Sequence, residues 1–215
     1  MREFDALASY PQATTPRIAN RTITNKIVAC YRDREFFDGD RANGYGGLLD
    51  DGRWNSVAEF MAREYELKKG STVLQLQSEK GFLVNEFLRM GIEAWGEESS
   101  EYACEKRVTR RNYIEFPVTE LGWGDLSIDL VIAIGIVYTL ALKDAIKCLR
   151  EIQRVGRRTF ITLGAYEIQE DYWLMHRWSL LGCTILRKDE WIEVMKHAGY
   201  DGDYKFVTAE SLGLC

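Results

Sequence analysis

The segment from Ile128 to Ile136 is apolar at nearly every position, and it restricts the possible folds more than any other part of the sequence. A strand with one side facing solvent alternates apolar and polar residues, whereas a strand covered by helices on both faces is apolar throughout. The segment therefore predicts a central strand of a parallel sheet. Because parallel neighbours are joined by long crossover connections, an α/β fold is expected.

Predicted strands and helices alternate along the chain around this segment. Strands are predicted at 72–77, 92–97, 113–118, 128–136, 159–163 and 204–208. Helices are predicted at 56–67, 82–90, 100–110 and 189–198, and a further helix carries Ile146, Leu149, Ile152 and Val155 on one face. The first helix is expected to open at Ser56 with the capping box S-V-A-E, and the last to stop at Gly199. Such alternation is typical of βαβ units.

Length and composition indicate a single compact domain. With 215 residues, 46% of them hydrophobic, the chain can bury a full core as one unit. Residues 1–55 lack strong periodicity and carry turn-forming pieces, so they are predicted to wrap or cap the domain formed by residues 56–215. A segment rich in Trp and Leu, Tyr172 to Leu181, is predicted to form a lid or an inserted helix.

The charge balance bears on the class of partner. A net charge of −5, from 28 basic and 33 acidic side chains, disfavours broad binding to nucleic acid or to anionic membranes, which requires basic surface. Basic clusters at 107–111 and 154–158 fall near the ends of predicted helices, where cations offset the helix dipole. A small-molecule or protein partner fits this composition better.

The cysteines and the apolar runs predict a cytoplasmic protein. Five cysteines are widely spaced and form no C-x-x-C, so neither a metal site nor a disulfide framework is expected: Cys30, Cys104, Cys148, Cys183 and Cys215. The first residues lack the continuous apolar core of a secretory signal. The longest apolar run, 130–142, falls short of the about 20 residues that span a bilayer.

The turn after the first apolar strand, V-L-Q-L-Q-S-E-K-G (73–81), carries the main clue to function. A nucleotide-cofactor fold places a glycine-rich loop here, because a strand that runs into a helix presents free N–H groups to a ligand and glycines allow close approach. Only Gly81 is a glycine, and Gln77 and Glu79 put side chains into that space. The surroundings predict a ligand-binding domain, while the turn itself is partly filled.

Eight segments occur in a characteristic order. They are F-F-D-G-D-R (36–41), G-Y-G-G-L-L-D-D-G-R-W (44–54), V-L-Q-L-Q-S-E-K-G-F-L (73–83), S-E-Y-A (100–103), S-I-D-L-V-I-A-I (127–134), E-I-Q-R-V (151–155), F-I-T-L-G-A-Y (160–166) and D-E-W to D-Y (189–204). In this order they resemble the class I S-adenosylmethionine-dependent methyltransferases, specifically a small bacterial branch, over about residues 30 to 208. The resemblance implies a Rossmann-like three-layer sandwich with a mostly parallel seven-stranded sheet and an antiparallel last strand.

The resemblance also implies an S-adenosylmethionine site at the turn. Gln75 occupies the position of an acidic residue, Gln77 and Glu79 occupy the first two glycine positions, and Gly81 occupies the last. A neutral amide at 75 gives up the charge-assisted bond to the ammonium of the cofactor, and Gln77 adds bulk where backbone and ligand should meet. The cofactor site is therefore expected to be degenerate.

Four other positions match the family's cofactor site to different degrees. Glu98 stands where an acidic residue receives the two ribose hydroxyls, although a solvated glutamate at a strand end explains it equally well. Pro117 replaces the acidic residue near the adenine, and Gly135 begins a segment that faces the methyl donor. Tyr45, in the G-Y-G-G loop, either closes over a ligand or packs against the core.

Three side chains are candidates for positioning a methyl acceptor. Tyr138, Tyr166 and His176 are expected around the acceptor, with Glu79 as a substitute partner for the cofactor ammonium. Methyl transfer relies on positioning, and a base is required only when the acceptor loses a proton. Each candidate has a structural alternative, namely core-edge packing for the tyrosines, a surface helix position for His176 and a solvated turn for Glu79.

Two functional hypotheses follow. The first is a non-catalytic or altered-ligand paralogue that needs no S-adenosylmethionine and acts through a protein partner, either a homologous subunit or a second copy in a homodimer. The second is an active S-adenosylmethionine-dependent methyltransferase for a small metabolite, sugar or natural product. A nicotinamide dehydrogenase is disfavoured because the glycines of G-x-G-x-x-G are missing.

Overall fold

The computed structural model describes residues 1–11, 17–115 and 117–214, so Cys215 and position 116 of the predicted strand 113–118 lie outside the described residues. The strands are β1 (Arg2–Glu3), β2 (Thr72–Leu76), β3 (Glu93–Glu98), β4 (Asn112–Ile114), β5 (Ile128–Ala133), β6 (Gly156–Tyr166), β7 (Leu186–Arg187) and β8 (Asp203–Val207). The helices are α1 (Ile23–Cys30), α2 (Arg34–Phe37), α3 (Arg53–Glu64), α4 (Phe82–Arg89), α5 (Glu101–Glu105), α6 (Leu142–Val155), α7 (Gln169–Trp178) and α8 (Lys188–Ala198). A short 3-10 helix spans Val137–Thr139.

The strands form an open sheet in the order β1-β8-β6-β5-β2-β3-β4, and β7 pairs with β6. Helices alternate with the strands and cover both faces, so the predicted Rossmann-like three-layer architecture is confirmed. Among the described residues the sheet has eight strands, one more than the seven that the resemblance implies, because the short β1 and β7 join the six strands predicted from the sequence.

The last strand runs parallel to its neighbour, so the predicted antiparallel last strand is wrong. Leu186 in β7 pairs with Ala165 near the carboxyl end of β6, and Asp203 in β8 pairs with Phe160 nearer its start. Between these two points α8 returns the chain toward the amino end of β6. Strand β8 therefore begins on the same side of the sheet as β6 and runs in the same direction.

Strand β5 is buried on both of its faces, as its apolar sequence predicts. Leu130 and Ile132 pack in one cluster with residues of α3 and α4, while Val131 and Ala133 pack in another with residues of α6 and α8. All four side chains are fully buried. A strand with helices on both sides cannot carry a polar face, which explains the continuous apolar run.

The start of α3 differs from its prediction, whereas the end of α8 agrees with it. Helix α3 begins at Arg53 and Gly52 is its N-cap, so the capping box expected at Ser56 is not formed. The Ser56 hydroxyl instead donates to the carbonyl of Ser9 at 2.9 Å, and the Ser9 hydroxyl donates to the carbonyl of Ser56 at 3.0 Å. Helix α8 ends at Gly199, whose φ of +74° is the left-handed C-cap conformation.

A buried ion pair fastens the N-terminal part of the chain to the turn after β2. The Lys80 ammonium is nearly inaccessible and donates to the two carboxylate oxygens of Asp38 at 2.7 and 2.8 Å and to the carbonyl of Leu48 at 2.8 Å. The hydroxyl of Tyr102 donates to the same carboxylate at 2.7 Å. Residues 36–48 therefore lie over the carboxyl end of the sheet. The division of the chain at residue 55 stays a prediction.

None of the helices within residues 1–11, 17–115 and 117–214 is both long and apolar enough to cross a membrane.

Candidate functional site

The turn after β2 keeps the backbone conformation of a glycine loop without the glycines. Gln77, Glu79 and Gly81 have φ values of +50°, +57° and +81°, respectively. Left-handed backbone favours glycine, and a residue with a Cβ loses about 1–2 kcal/mol there. Positive φ values therefore occur at 77, 79 and 81, the three positions that the resemblance assigns to glycines of the cofactor loop.

Hydrogen bonds from two neighbouring elements hold this conformation at Glu79. The backbone N–H of Glu79 donates to Oε2 of Glu98 at 2.7 Å, and its carbonyl accepts from Nδ2 of Asn112 at 2.7 Å. Asn112 is fully buried and also bonds the Ser78 hydroxyl through its Oδ1. Because Glu98 and Asn112 are held in β3 and β4, their hydrogen bonds stabilise the left-handed conformation of Glu79 against its steric cost.

The carboxylate of Glu98 is fully buried, and protein donors bind both of its oxygens. Besides Glu79, the backbone N–H of Ser100 donates to Oε1 at 2.9 Å. Nη2 of Arg32 lies 3.1 and 3.3 Å from the two oxygens and forms an ion pair with them. Glu98 therefore serves as an internal acceptor, and it does not line the neighbouring cavity.

Gln77 joins the carboxyl ends of β2 and β3. Its Nε2 donates to the Ser99 hydroxyl at 2.9 Å, and its Oε1 accepts from the backbone N–H of Ser99 at 3.1 Å. The side chain thus crosses from one strand end to the other. The ends of β2 and β3, where the resemblance implies a cofactor site, are thus bridged by the protein's own groups.

A cavity of about 200 Å³ lies beside this turn. Its walls come from the turn, from the segment after β5, from the segment after α7 and from the N-terminal part of the chain. The lining residues are Arg17, Ile18, Arg21, Arg32, Phe36, Arg41, Gly44, Tyr45, Gln77, Glu79, Ile134, Gly135, Ile136, Tyr138, Thr139, Trp178, Ser179, Leu180 and Leu181. Ligand pockets commonly measure about 300–1,000 Å³, so this cavity suits a smaller molecule.

Five of the predicted site residues meet at the cavity, namely Tyr45, Gln77, Glu79, Gly135 and Tyr138. The Tyr45 hydroxyl donates to the carboxylate of Glu79. Gly135 has a φ of +76°, and its N–H donates to the Thr162 hydroxyl at 2.8 Å. This turn directs the following residues, including Tyr138, toward the cavity.

The other predicted site residues lie elsewhere. Gln75 and Glu98 are buried beneath the turn, and Gly81 begins α4 where any Cβ would lie 3.0 Å from the side chain of Asn112. Tyr166 and His176 both contact Tyr172, with ring centroids 5.1 and 4.5 Å from it, and neither lines the cavity. The expectation that Tyr166, His176 and Tyr138 surround one acceptor does not match this arrangement.

Titratable groups in the cavity wall have shifted pKa values. Burial raises the pKa of Glu79 to about 7, although the hydroxyl of Tyr45 and the charge of Arg32 act in the opposite direction. Burial also raises the pKa of Tyr138 to about 12, against the weaker effect of Arg17 and Arg21. At neutral pH the Tyr138 hydroxyl is therefore neutral, and the Glu79 carboxyl holds its proton to a higher pH than an exposed glutamate.

Four arginines of the cavity wall were not predicted from the sequence. Arg17, Arg21, Arg32 and Arg41 all come from the segment before α3, which has no periodicity to place its side chains. A spacing of four between Arg17 and Arg21, with no acidic residue from 6 to 32, was the available signal.

Metal ions in proteins are bound by clusters of side chains. Within residues 1–11, 17–115 and 117–214, no group of three or more His, Cys, Asp or Glu is placed to hold an ion.

Solved structures with a similar fold include several methyltransferases. YcgJ protein from Bacillus subtilis is 15% identical, with a TM-score of 0.54 and 66% of each chain covered. An S-adenosylmethionine-dependent methyltransferase from Archaeoglobus fulgidus is 14% identical, with a TM-score of 0.53 and 68% of each chain covered. The chain has the methyltransferase fold.

A third structure with this methyltransferase fold is a complex between the Haloferax volcanii Trm112 methyltransferase activator and a methyltransferase. The matching chain is 18% identical, with a TM-score of 0.50, and the match covers 71% of this chain and 77% of that one. No family model matches the sequence, and no curated protein matches it. At these identities the similarity shows the fold alone.

Proposed function

We propose that this methyltransferase-fold protein does not bind S-adenosylmethionine in the pose usual for the class, and that it acts as a non-catalytic or altered-ligand paralogue. The observation that supports this most directly is the saturation of Glu98. A carboxylate that accepts from Glu79, Ser100 and Arg32 has no free oxygen for two ribose hydroxyls. Breaking those bonds to admit the ribose would leave buried donors unpaired.

The turn itself gives independent support. The bridge between Gln77 and Ser99 crosses the gap between the ends of β2 and β3, and the cavity of about 200 Å³ is small for a nucleoside cofactor. The residues present therefore do not fit S-adenosylmethionine in its usual pose.

Thermal unfolding with S-adenosylmethionine or S-adenosylhomocysteine tests the proposal. A ligand at about 100 times its dissociation constant stabilises the native state by about 2.7 kcal/mol, which is a shift of several degrees. We expect no saturable shift at millimolar concentration of either compound. A clear shift that is abolished by Gln77→Trp, which blocks the cavity wall, would instead support an active methyltransferase.

An active methyltransferase for a small acceptor is the second candidate. The left-handed backbone at 77, 79 and 81 favours it, because the geometry of the cofactor loop is retained where its sequence is not. Incubation with S-adenosylmethionine labelled in its methyl group, followed by mass spectrometry of acceptors from a metabolite extract, tests it. A methylated product formed by the wild type but not by Gln77→Trp would favour this candidate.

A protein partner belongs to the first proposal. Ile23, Ile27 and Tyr31 occur four residues apart along α1, so they share one face, and their exposed fractions are 70%, 52% and 74%. An apolar stripe of this kind suits contact with another protein. One of the similar structures is a complex of a methyltransferase with an activator protein. For this chain the proposed partner is a homologous subunit, with a second copy as the simplest case.

Native mass spectrometry tests the simplest case. We expect a dimer that Ile27→Glu dissociates, while Leu142→Glu, at an exposed apolar position outside α1, leaves it intact. A wild-type monomer at micromolar concentration would contradict the homodimer.

A further inference from the structure

The cavity gathers several arginines, of which only Arg32 is paired with a carboxylate among the described residues. Arg32 is paired with Glu98, but in the described part of the chain Arg17, Arg21 and Arg41 form no ion pair with any carboxylate. The sequence between residues 11 and 17 contains no acidic residue either. Among the described residues, these three guanidinium groups thus share one wall with no carboxylate in ion-pair contact.

The donors of these arginines are only partly used. Nη1 of Arg21 donates to the carbonyl of Trp178 at 2.8 Å, and Nη1 of Arg41 donates to the carbonyl of Tyr45 at 2.7 Å. Among the described residues, the buried Nε of Arg21 has no hydrogen-bond partner. A buried N–H without an acceptor from the protein is available to an oxygen of a ligand.

The three arginines are close enough to repel one another. Partial burial, followed by the charges of Arg41 and Arg17, lowers the pKa of Arg21, and partial burial with the charge of Arg41 lowers the pKa of Arg17. Both guanidinium groups remain charged at neutral pH, since free arginine titrates far above that range. Gathering like charges costs free energy that an anion between them would offset.

The remaining cavity wall limits the size and shape of such an anion. Apolar side chains form much of it, including Phe36, Ile136, Trp178 and Leu180. Its acidic residue, Glu79, is held by Tyr45 next to Arg32. The cavity therefore offers a cationic part and an apolar part within about 200 Å³.

We propose that Arg17, Arg21 and Arg41 form a binding site for a small organic anion that carries at least two negative charges, with its apolar part against Trp178 and Leu180. Planar guanidinium groups match phosphate and carboxylate oxygens, so the shared chemistry is that of a phosphate ester or a dicarboxylate. The inference rests on the proposed function in one respect: it names the ligand class of the altered site.

Isothermal titration calorimetry on the full chain tests the site and separates the two sources. Pyrophosphate is the probe for phosphoryl ligands, succinate is the probe for dicarboxylates, and sodium chloride at matched ionic strength is the reference. We expect saturable binding of at least one probe. Saturation by pyrophosphate alone assigns the phosphate class, and saturation by succinate alone assigns the dicarboxylate class. Saturation by neither overturns the proposal.

Three variants make the test specific. Arg17→Gln removes a charge from an arginine without a hydrogen bond to the described residues, and we expect it to weaken binding at least about tenfold, a loss typical of one charged contact. Arg41→Lys keeps the charge and should weaken binding less. Arg110→Gln, at an exposed arginine outside the cavity, should leave the affinity unchanged. Equal losses in Arg17→Gln and Arg110→Gln would overturn the proposal.

A second measurement keeps the result separate from the proposed function. Without any probe, Arg17→Gln should be as stable as the wild type or more stable, because it relieves repulsion by Arg21 and Arg41. If S-adenosylmethionine stabilised both the wild type and Arg17→Gln, the proposed function would be contradicted. The anion site is tested separately, by the effect of the arginine variants on binding of pyrophosphate and succinate.

Discussion

The backbone N–H of Glu79 donates to the buried carboxylate of Glu98 at 2.7 Å, and this contact ties the turn after β2 to the end of β3. In the related fold, the acidic residue at this second strand end is expected to receive a ligand. Here the same carboxylate stabilises a left-handed turn that carries side chains in place of glycines. The Glu98 carboxylate therefore has a structural role in this turn, and the proposed loss of the usual cofactor pose rests on that role.

Removing the carboxylate of Glu98 should therefore affect folding. Glu98→Ala leaves Arg32 and the N–H groups of Glu79 and Ser100 without their acceptor. Loss of one partner from a buried charge pair costs about 3–5 kcal/mol. Urea unfolding should show a loss of this size, while Glu105→Ala, at an exposed glutamate, should change the free energy of unfolding by less than about 0.5 kcal/mol.

A loss below about 1 kcal/mol for Glu98→Ala, measured with an unchanged m-value, would mean that Glu98 is not an essential acceptor.

The glutamine of the turn offers a test of backbone strain. Gln77→Gly and Gln77→Ala both remove the bridge to Ser99, but only glycine adopts the φ of +50° without steric cost. We expect Gln77→Gly to be more stable than Gln77→Ala by about 1 kcal/mol. Chemical denaturation of the two variants measures the difference, and equal stability would show that the turn relaxes when the bridge is lost.

Sequence patterns predicted the sheet well because a strand that is buried on both faces has a continuous run of apolar residues. The apolar run of β5, the glycine stop of α8 and the alternation of strands and helices all follow from local rules. The direction of β8 does not follow from local rules, because it depends on the end of β6 beside which α8 stops. Long-range geometry of this kind has no counterpart in hydrophobic periodicity.

The site was predicted only in part, for a related reason. Gln77, Glu79, Gly135, Tyr45 and Tyr138 were found because a family pattern aligns them, and they do meet. The arginines were missed because their segment has no periodicity, and the occupation of Glu98 depends on contacts from three separate segments. Chemistry that depends on which donors surround a carboxylate cannot be deduced from its position in the sequence.

The carboxyl of Glu79 should give the protein a measurable pH dependence. Its pKa is about 7 in the folded protein and ordinarily 4.5. Between these values the folded protein holds a proton that the unfolded chain has lost, so stability falls as the pH rises and the loss is complete above pH 7. The contribution is at most about 3 kcal/mol.

Glu79→Gln keeps a partner for Tyr45 and removes the titration. We expect the stability difference between the variant and the wild type to grow in favour of the variant from pH 5 to pH 8. Urea unfolding at both pH values measures it. A difference that stays constant over this range would show that the Glu79 carboxyl titrates near its ordinary pKa.

The glycine at the start of the G-Y-G-G loop should be irreplaceable for steric reasons. A Cβ added at Gly44 would lie 1.8 Å from the carbonyl oxygen of Phe36, a distance that requires the backbone to move. The loop carries Tyr45, so Gly44→Ala should displace the hydroxyl that donates to Glu79. Overpacking of this kind costs about 1–3 kcal/mol.

Gly47 provides the matched control, because a Cβ there meets no atom within 4 Å although its φ is +99°. Gly47→Ala should cost about 1 kcal/mol from backbone strain alone and leave Tyr45 in place. Thermal unfolding ranks the two variants, and NMR of the assigned Tyr45 ring reports its position. A Gly44→Ala variant as stable as Gly47→Ala, with the Tyr45 resonances unshifted, would show that the loop can move away from Phe36 without disturbing the cavity.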